Sequence, residues 1–213
     1  NLIPIYRKID DEANMGKNVH SFIKGYEILE KNGAFLIFPE GISMGRRVLE
    51  KIKTGAARIG LEAEARNDFG LNCCIIPIGI SYSDLVRFKS DIMVRFGEPI
   101  FLKNFQKEYS SGEKQTVKRL TGEIEHALNK LTNYVQNEEI EDIVDGLELI
   151  YKMELMTELD MELHDKNDDF LTSKLLTDAV QWYNENDPLL VQEFREKLNV
   201  YLDLLRQLDI RDE

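Results

Sequence analysis

Short apolar runs alternate with helix-spaced apolar positions over the first hundred residues of the chain. The runs at 35–38, 73–80 and 92–96 are typical of β-strands, and the unbroken apolar character of the second predicts a strand buried on both faces. Residues 18–31 and 48–63 instead place apolar side chains at the 3.6-residue spacing of helices. Strands that alternate with helices predict an α/β fold, with a mostly parallel or mixed sheet flanked by helices.

After Gly112 the apolar positions follow helical spacing alone. Pro188 suits the first turn of a helix, where an N–H has no helical partner to lose. We therefore predict two domains, an α/β portion over residues 1–104 and an all-helical C-terminal domain over residues 105–213. The predicted helices of the second domain are residues 113–136, 140–160, 170–185 and 188–208. Its long apolar stripe is expected to be bundle core: Met153, Met156, Leu159 and Leu163.

The two predicted domains differ sharply in charge. Residues 1–104 carry 15 Lys and Arg against 13 Asp and Glu, whereas residues 105–213 carry 12 against 26. The acidic helical domain is therefore expected to repel nucleic acid, anionic lipid and acidic carrier proteins. We expect no nucleic-acid partner, and a membrane surface or an anionic substrate would be met by the first domain. The helical domain is instead a candidate for self-association.

Several features limit the class of protein. No run of 18 apolar residues that could span a bilayer is present. Cys73 and Cys74 are adjacent in an apolar run and would point to opposite faces of a strand, so we expect two buried, reduced thiols rather than a disulfide or a metal site. The chain begins at Asn1 in a strand-like stretch and without Met. We expect it to be a piece of a longer protein.

A polar loop after the run at 35–38 has the parts of a phosphate site. Loops at the carboxyl ends of strands bind ligands in open α/β sheets, and the N–H groups at the start of a helix favour anions. Arginine recognises phosphate through paired hydrogen bonds. The residues that make this loop a candidate site are Glu40, Gly41, Ser43, Arg46 and Arg47.

The same loop leaves a second interpretation open. Gly41 to Gly45 matches the G-x-S-x-G nucleophile elbow, which would make Ser43 the nucleophile of a serine esterase or lipase. The histidines downstream, His126 and His164, both lie in the acidic helical domain. A charged residue just before the first glycine is also unusual for such an elbow. We therefore favour the phosphate site.

The acidic stretch at 165–169 resembles part of a calcium-binding loop. Phe170 stands where such a loop requires Gly, and Leu176 stands where it requires Glu. We therefore predict a solvated turn between two helices here.

Taken together, five segments resemble the glycerolipid O-acyltransferases, the family of lysophosphatidate, glycerol-3-phosphate and dihydroxyacetone-phosphate acyltransferases. That family has four ordered blocks, and the second, third and fourth are matched within residues 1–104 in the correct order and spacing. Residues 53–57 also match a recurrent helix start of the family, and residues 94–100 match its closing strand. The matched blocks are Ile3-Pro4-Ile5-Tyr6-Arg7, Phe38-Pro39-Glu40-Gly41 and Ile75-Ile76-Pro77-Ile78-Gly79-Ile80.

The resemblance implies an activity and its site. In this family a His, paired with an Asp in a His-x-x-x-x-Asp block, acts as general base on a glycerol hydroxyl that attacks the acyl thioester of CoA or acyl-carrier protein. That block is expected upstream of residue 1, so no catalytic residue is expected here and the chain alone should be inactive. Arg7 would contact the acceptor phosphate, and Glu40 and Gly41 would shape the same pocket. Ser43 and Arg46 fit the pattern of a subgroup that acts on small glycerol phosphates.

The implied function is acyl transfer to a glycerol phosphate or lysophosphatidate in phospholipid synthesis, without a cofactor or a metal. The implied location is the cytoplasmic face of a membrane, where a missing N-terminal part or a peripheral surface would hold the full-length protein. Two other interpretations stay open. The helical domain could be a non-catalytic interaction module, and Arg46 and Arg47 could simply cap a helix on the surface.

Overall fold

A computed structural model describes residues 2–5, 16, 18–41, 47–48, 50–83 and 88–210. The chain divides into two compact units that interleave along the sequence. The first unit comprises residues 1–41, 51–77 and 96–128, and the second comprises residues 42–50, 78–95 and 129–213. The domain boundary predicted at residue 104 stays a prediction.

Helices dominate the described residues, and the strands are short. The helices are α1 (Asn18–Glu30), α2 (Gly55–Ala65), α3 (Gln106–Ser111), α4 (Glu113–Leu131), α5 (Glu138–Glu158), α6 (Lys166–Asn186) and α7 (Pro188–Leu208). The strands are β1 (Cys74–Ile75), β2 (Ile78–Tyr82), β3 (Ile92–Phe96) and β4 (Ile100–Phe101), and a 3₁₀ helix spans Leu102–Phe105. The four helices predicted after residue 112 are confirmed, including the start of the last one at Pro188.

The named strands form two separate two-stranded sheets within the described part of the chain. β1 and β4 are antiparallel, with Ile75 opposite Ile100. β2 pairs with β3, and beyond the ends of these strands the Ser83 N–H donates to the Asp91 carbonyl at 3.0 Å. These residues therefore contain short strand pairs, and a mostly parallel sheet is not seen among them.

The apolar runs at 35–38 and 73–80 are not the buried strands that the sequence predicts. The first run has no strand, and its Leu36 and Phe38 are 67% and 69% exposed. The second is interrupted by the exposed Ile76 between β1 and β2. Cys74 is exposed and Cys73 half-buried, and both are free thiols. A strand is buried only where other elements cover its faces, and the described residues supply no such cover here.

The first unit packs around α2, where two close helix contacts require small residues. A Cβ on Gly60 would lie 2.6 Å from Leu102 Cδ1, and one on Gly25 of α1 would lie 2.9 Å from Ile59 Cγ2. Glu64, which is fully buried, accepts N–H groups from the chain that leads into β1. Its partners are Leu71 at 3.2 Å and Cys73 at 2.5 Å.

The buried Glu64 also sets the chemistry of Cys73. Burial, together with the negative charge of Glu64, raises the pKa of the Cys73 thiol to about 11. The thiol is therefore protonated at neutral pH and is a poor nucleophile.

The second unit has an apolar core formed by α5, α6, α7 and Val135, which lies shortly before α5. The buried residues are Val135, Ile140, Ile143, Val144, Val180 and Val191, and Val48, Leu147 and Phe194 pack against them. Gly146 allows α5 and α7 to approach, because a Cβ there would lie 2.6 Å from Leu198 Cδ2. Helix packing of this kind explains why the apolar spacing alone was sufficient to predict these helices.

Each of the last three helices begins with a side-chain cap. Asn137 accepts from Ile140 N–H, Asp165 from Asn167 and Asp168 N–H, and Asp187 from Leu190 N–H. Asp165 is the N-cap, but residues 166–169 lie in the first turn of α6, so the interhelical turn predicted at 165–169 was wrong for four of its five residues. Such caps satisfy N–H groups that the first helical turn leaves without partners.

The predicted core stripe of α5 was wrong for three of its four residues. Met156 is buried, but Met153, Leu159 and Leu163 are exposed. The reason is that α5 ends at Glu158, so the helical spacing does not continue through the last two positions.

No helix within the described ranges combines the length and the apolarity that crossing a membrane requires.

Gly79 of β2 lies against the main chain at the end of α4. A Cβ there would lie 2.4 Å from the Leu131 carbonyl oxygen and 2.8 Å from its carbonyl carbon. We predict that Gly79→Ala lowers the free energy of unfolding of this chain by about 1–3 kcal/mol, because main-chain atoms cannot yield as a side-chain end can. Denaturant unfolding measures the change.

The matched control is Gly122→Ala in α4, where nothing lies within 4 Å of the added Cβ. That variant should be stabilised by roughly 0.5–1 kcal/mol through helix propensity. Equal effects of the two substitutions would contradict the close contact at Gly79.

Candidate functional site

The third sequence block forms a closed β-turn. The Gly41 N–H donates to the Phe38 carbonyl at 3.2 Å, which places Pro39 and Glu40 at the two central positions. Proline pre-sets the backbone angle that the first central position needs. Gly41 has a φ of 75°, in the left-handed region that glycine adopts without steric cost. The shape of the turn therefore explains Pro39 and Gly41 of this block.

This turn is tied to the chain just before α2. The Lys53 N–H donates to the Pro39 carbonyl at 2.8 Å, and α2 begins two residues later at Gly55. Residues 53–57, which match the family's helix start, do begin a helix. Glu40 and Gly41 are both half-buried, so the turn is held from its main chain and keeps one side toward solvent.

Three of the predicted site residues, Arg7, Ser43 and Arg46, lie outside the described residues. Their roles stay predictions, and so does their convergence with Glu40 and Gly41 on one pocket.

Arg47 does not have the free guanidinium that a phosphate ligand needs. Its guanidinium donates two hydrogen bonds to Glu148, at 2.9 and 3.1 Å, and also pairs with Asp145. Its backbone N–H donates to Glu141 Oε1 at 2.7 Å. Arg47 is therefore part of a half-buried ion cluster within the second unit. This corrects its interpretation as a phosphate ligand and as a surface helix cap.

The three acids of this cluster follow one another at i, i+4 and i+7 on α5, and so share one helix face. Sequence reasoning missed them, although a signal was present. Glu141, Asp145 and Glu148 form an acidic row within a predicted helix. A row of like charges on one face destabilises a helix unless cations from elsewhere meet it.

Pairing with Arg47 sets the charge state of Glu148 but not that of Asp145. Burial alone would raise the pKa of Glu148, but the hydrogen bonds and charge of Arg47 hold it below its ordinary value. For Asp145 burial prevails, and with Glu148 and Glu141 nearby it raises the pKa despite the opposing effect of Arg47. Burial would lower the pKa of Arg47, yet Glu148 and Asp145 raise it. The Arg47–Glu148 pair is therefore fully charged at neutral pH.

The main chain at Arg47 and Val48 is held as firmly as the side chain. The Val135 N–H donates to the Arg47 carbonyl at 2.8 Å, and Val48 and Val135 form an isolated parallel bridge. Val48 also packs against the core of the second unit. This pairing explains why the helix predicted to resume near residue 48 begins only at Gly55.

The surroundings of Ser43 do not match a nucleophile elbow. Such an elbow joins a strand directly to a helix, but no strand is found in residues 33–41, and residues 50–54 precede the helix that begins at Gly55. His20 on α1, His126 on α4 and His164 before α6 are all exposed. None of the three histidines has the buried, oriented setting of a catalytic base.

Two curated proteins of Saccharomyces cerevisiae are similar to this chain. Glycerol-3-phosphate O-acyltransferase 2 is 31% identical over 116 residues, which are 54% of this chain and 16% of the yeast protein. Glycerol-3-phosphate O-acyltransferase 1 is 30% identical over 141 residues, which are 65% of this chain and 18% of the yeast protein. No family model matches the chain, and no solved structure matches it.

These similarities confirm the resemblance to glycerolipid acyltransferases that the ordered blocks predict. The matched part spans less than a fifth of the length of either curated relative.

The left-handed backbone at Gly41 gives a direct test of the turn. We predict that Gly41→Val lowers the free energy of unfolding by about 1–2 kcal/mol, because L side chains resist this conformation. Gly41→Asn is the control, since Asn visits the left-handed region readily, and it should cost less. Denaturant unfolding of both variants of this chain is the measurement, and a Val variant as stable as the Asn variant would show that the positive φ is not required.

Proposed function

We propose that this chain is the acceptor-binding part of a glycerolipid acyltransferase, which transfers an acyl group from a thioester to the hydroxyl of a glycerol phosphate. The observation that carries the proposal is the similarity to two yeast glycerol-3-phosphate O-acyltransferases. That similarity is supported by three family blocks in order. The activity belongs to the full-length protein, and its donor is acyl-CoA or an acyl-carrier protein.

In the proposed reaction the acceptor hydroxyl attacks the thioester carbonyl carbon. A C–O bond forms, the C–S bond breaks, and the thiol leaves with a proton. The family's His-x-x-x-x-Asp block, expected upstream of residue 1, supplies the base. The residues of this chain bind and orient the acceptor, with Arg7 and Arg46 as phosphate ligands and the turn at Glu40 and Gly41 shaping the pocket.

Exposed apolar side chains support a larger sheet in the full-length protein. Leu36 and Phe38 alternate along their run, and Ile92, Val94 and Phe96 alternate along β3, and all five are exposed. Alternation of this kind is the mark of a strand face that packs against a neighbour. We propose that these faces belong to the mostly parallel or mixed sheet of the acyltransferase fold.

Two further parts of the proposal concern location and assembly. The full-length protein would act at the cytoplasmic face of a membrane, because its product is a lipid precursor. The helical portion would mediate self-association, which is supported by exposed apolar residues along α7. They are Leu190, Tyr201, Leu204 and Leu208.

The arginines provide the test of the acceptor site. We predict that Arg7→Ala or Arg46→Ala in the full-length protein raises the KM for glycerol 3-phosphate about ten- to a hundredfold. A lost hydrogen bond to a charged group is worth roughly 1.5–3 kcal/mol, and each 1.4 kcal/mol is about tenfold. Acyl transfer from an acyl-CoA, measured while acceptor and donor are varied in turn, gives both KM values.

Arg206→Ala is the control, because Arg206 pairs only with Asp203 on the exposed end of α7 among the ion pairs described. It should leave both KM values unchanged. Equal increases in the acceptor and donor KM for the Arg7 and Arg46 variants would show that these arginines support the fold instead.

The reactivity of Ser43 distinguishes the alternative function, a serine hydrolase, from the proposed acyltransferase. We predict that a fluorophosphonate probe does not label Ser43 in the full-length protein, because the described residues on either side of it, 33–41 and 50–54, contain no strand or helix that would form an elbow. The measurement is mass spectrometry of the peptide that contains residue 43, with Ser43→Ala as the control for background labelling. Stoichiometric labelling at Ser43 would overturn the acyltransferase proposal in favour of the esterase.

A further inference from the structure

Lys53 is a cation that lies directly beside the turn at Glu40 and Gly41. Its main-chain N–H donates to the Pro39 carbonyl of that turn at 2.8 Å. A Cβ built on Gly41 would lie 4.0 Å from the Lys53 Cγ, so the lysine side chain starts next to the side of the turn where glycine has no side chain. Every residue of this arrangement belongs to the first unit.

The main chain of Lys53 is anchored, and its side chain is exposed. The preceding residue, Ile52, is only 4% exposed. α2 begins two residues later at Gly55, and the Arg58 N–H donates to the Thr54 carbonyl at 2.9 Å. Because the main chain is already ordered, only the side chain loses freedom when Lys53 contacts a ligand, and this lowers the cost of binding.

The Lys53 ammonium group has no partner among the described residues, in contrast to the arginines of this part of the chain. Arg58 lies over the Phe22 ring at 4.9 Å, and Arg66 pairs with Glu30 at 3.4 Å. The first turn of α2, which follows Lys53, carries no acid that could neutralise it. Lys53 is therefore available to an anion at the turn.

We propose that Lys53 is a binding residue for the phosphate of the acceptor, which it meets beside the turn at Glu40 and Gly41. This inference rests on the proposed function, because it takes the turn as part of the acceptor pocket. A lysine ammonium is a compact charge with three donors, and it binds phosphate oxygens as a point charge. Arg7 and Arg46 are proposed from the family resemblance, whereas Lys53 is proposed from the contacts of the turn itself.

The charges near the turn explain why a cation is needed there. Glu40 places a carboxylate in the turn, and this carboxylate would repel a phosphate. Lys53 offsets that repulsion from a position next to Gly41, and in the described part of the chain it forms no ion pair with Glu40 that a ligand would have to break. The turn can then shape the pocket without excluding an anion.

The experiment uses the full-length protein and measures binding separately from turnover. Titration calorimetry gives the Kd for glycerol 3-phosphate, and steady-state kinetics gives the KM for glycerol 3-phosphate and for an acyl-CoA. Lys53→Met keeps an apolar stem and removes the charge. It is expected to raise the Kd and the acceptor KM about tenfold, as the loss of one hydrogen bond to a charged group would. The donor KM should not change, and Lys53→Arg should keep most of the affinity.

Inorganic phosphate identifies the group that Lys53 contacts. As a competitor of glycerol 3-phosphate, it should bind the Lys53→Met protein more weakly by the same factor of about ten. Unchanged competition by inorganic phosphate, together with weaker binding of glycerol 3-phosphate, would place Lys53 against the glycerol part of the acceptor and overturn the inference.

Lys51→Met is the matched control. Lys51 is exposed as Lys53 is and lies two residues before it, but no main-chain hydrogen bond joins it to the turn within the described residues. The substitution removes the same charge from the same stretch and should leave the Kd nearly unchanged. An equal rise of the Kd in both variants would indicate a general attraction for anions and would overturn the inference.

The outcomes distinguish this inference from the proposed function. A normal Kd for the Lys53→Met protein, or a rise in the donor KM in place of the acceptor KM, overturns the inference and leaves the proposed function intact. A wild-type protein that binds glycerol 3-phosphate but transfers no acyl group overturns the proposed function, and a weaker Kd in the Lys53→Met protein then still supports the inference. A wild-type protein that does not bind glycerol 3-phosphate overturns both.

Discussion

The neutralisation of one acidic helix face is the constraint on which the second unit depends. Glu141, Asp145 and Glu148 lie on the face of α5 that meets the segment at Arg47. Taking a charge out of water is costly, and a buried carboxylate is tolerated only where a well-placed partner meets it. The Arg47 guanidinium supplies that partner for Glu148 with both of its oxygens engaged. The neighbouring Val48 then enters the apolar core, so the charged and apolar contacts of this segment depend on each other.

The same use of acidic side chains recurs elsewhere in the chain. Glu64 is fully buried in the first unit and accepts two main-chain N–H groups, while Asp165 and Asp187 cap the starts of α6 and α7. Carboxylates in these places accept hydrogen bonds from main-chain N–H groups that would otherwise have no partner. The excess of Asp and Glu in the second half of the chain is therefore partly a structural requirement and not only a solvated surface.

The glycines of the family blocks have separate physical reasons in this structure. Gly41 is needed for its left-handed backbone at the end of the Phe38 turn. Gly79 is needed because the main chain of Leu131 occupies the space where a side chain would lie. The two glycines look alike in the sequence. One is required by a turn, and the other is required by a close packing contact.

The sequence by itself determined the helices and the turn chemistry of this protein. Amphipathic spacing and helix starts such as Pro188 are local, so α1 and the four helices after residue 112 were predicted to within five residues at each end. The turn at Gly41 follows from its own four residues. The roles of Arg7, Ser43 and Arg46 stay predictions from the resemblance. Only the tertiary structure decided that Leu36 and Phe38 are exposed, that Val48 pairs with Val135, and that Arg47 pairs with acids of α5. Arg47 meets acids that lie 94 to 101 positions further along the chain, and no local pattern in the sequence reveals a partner at that distance.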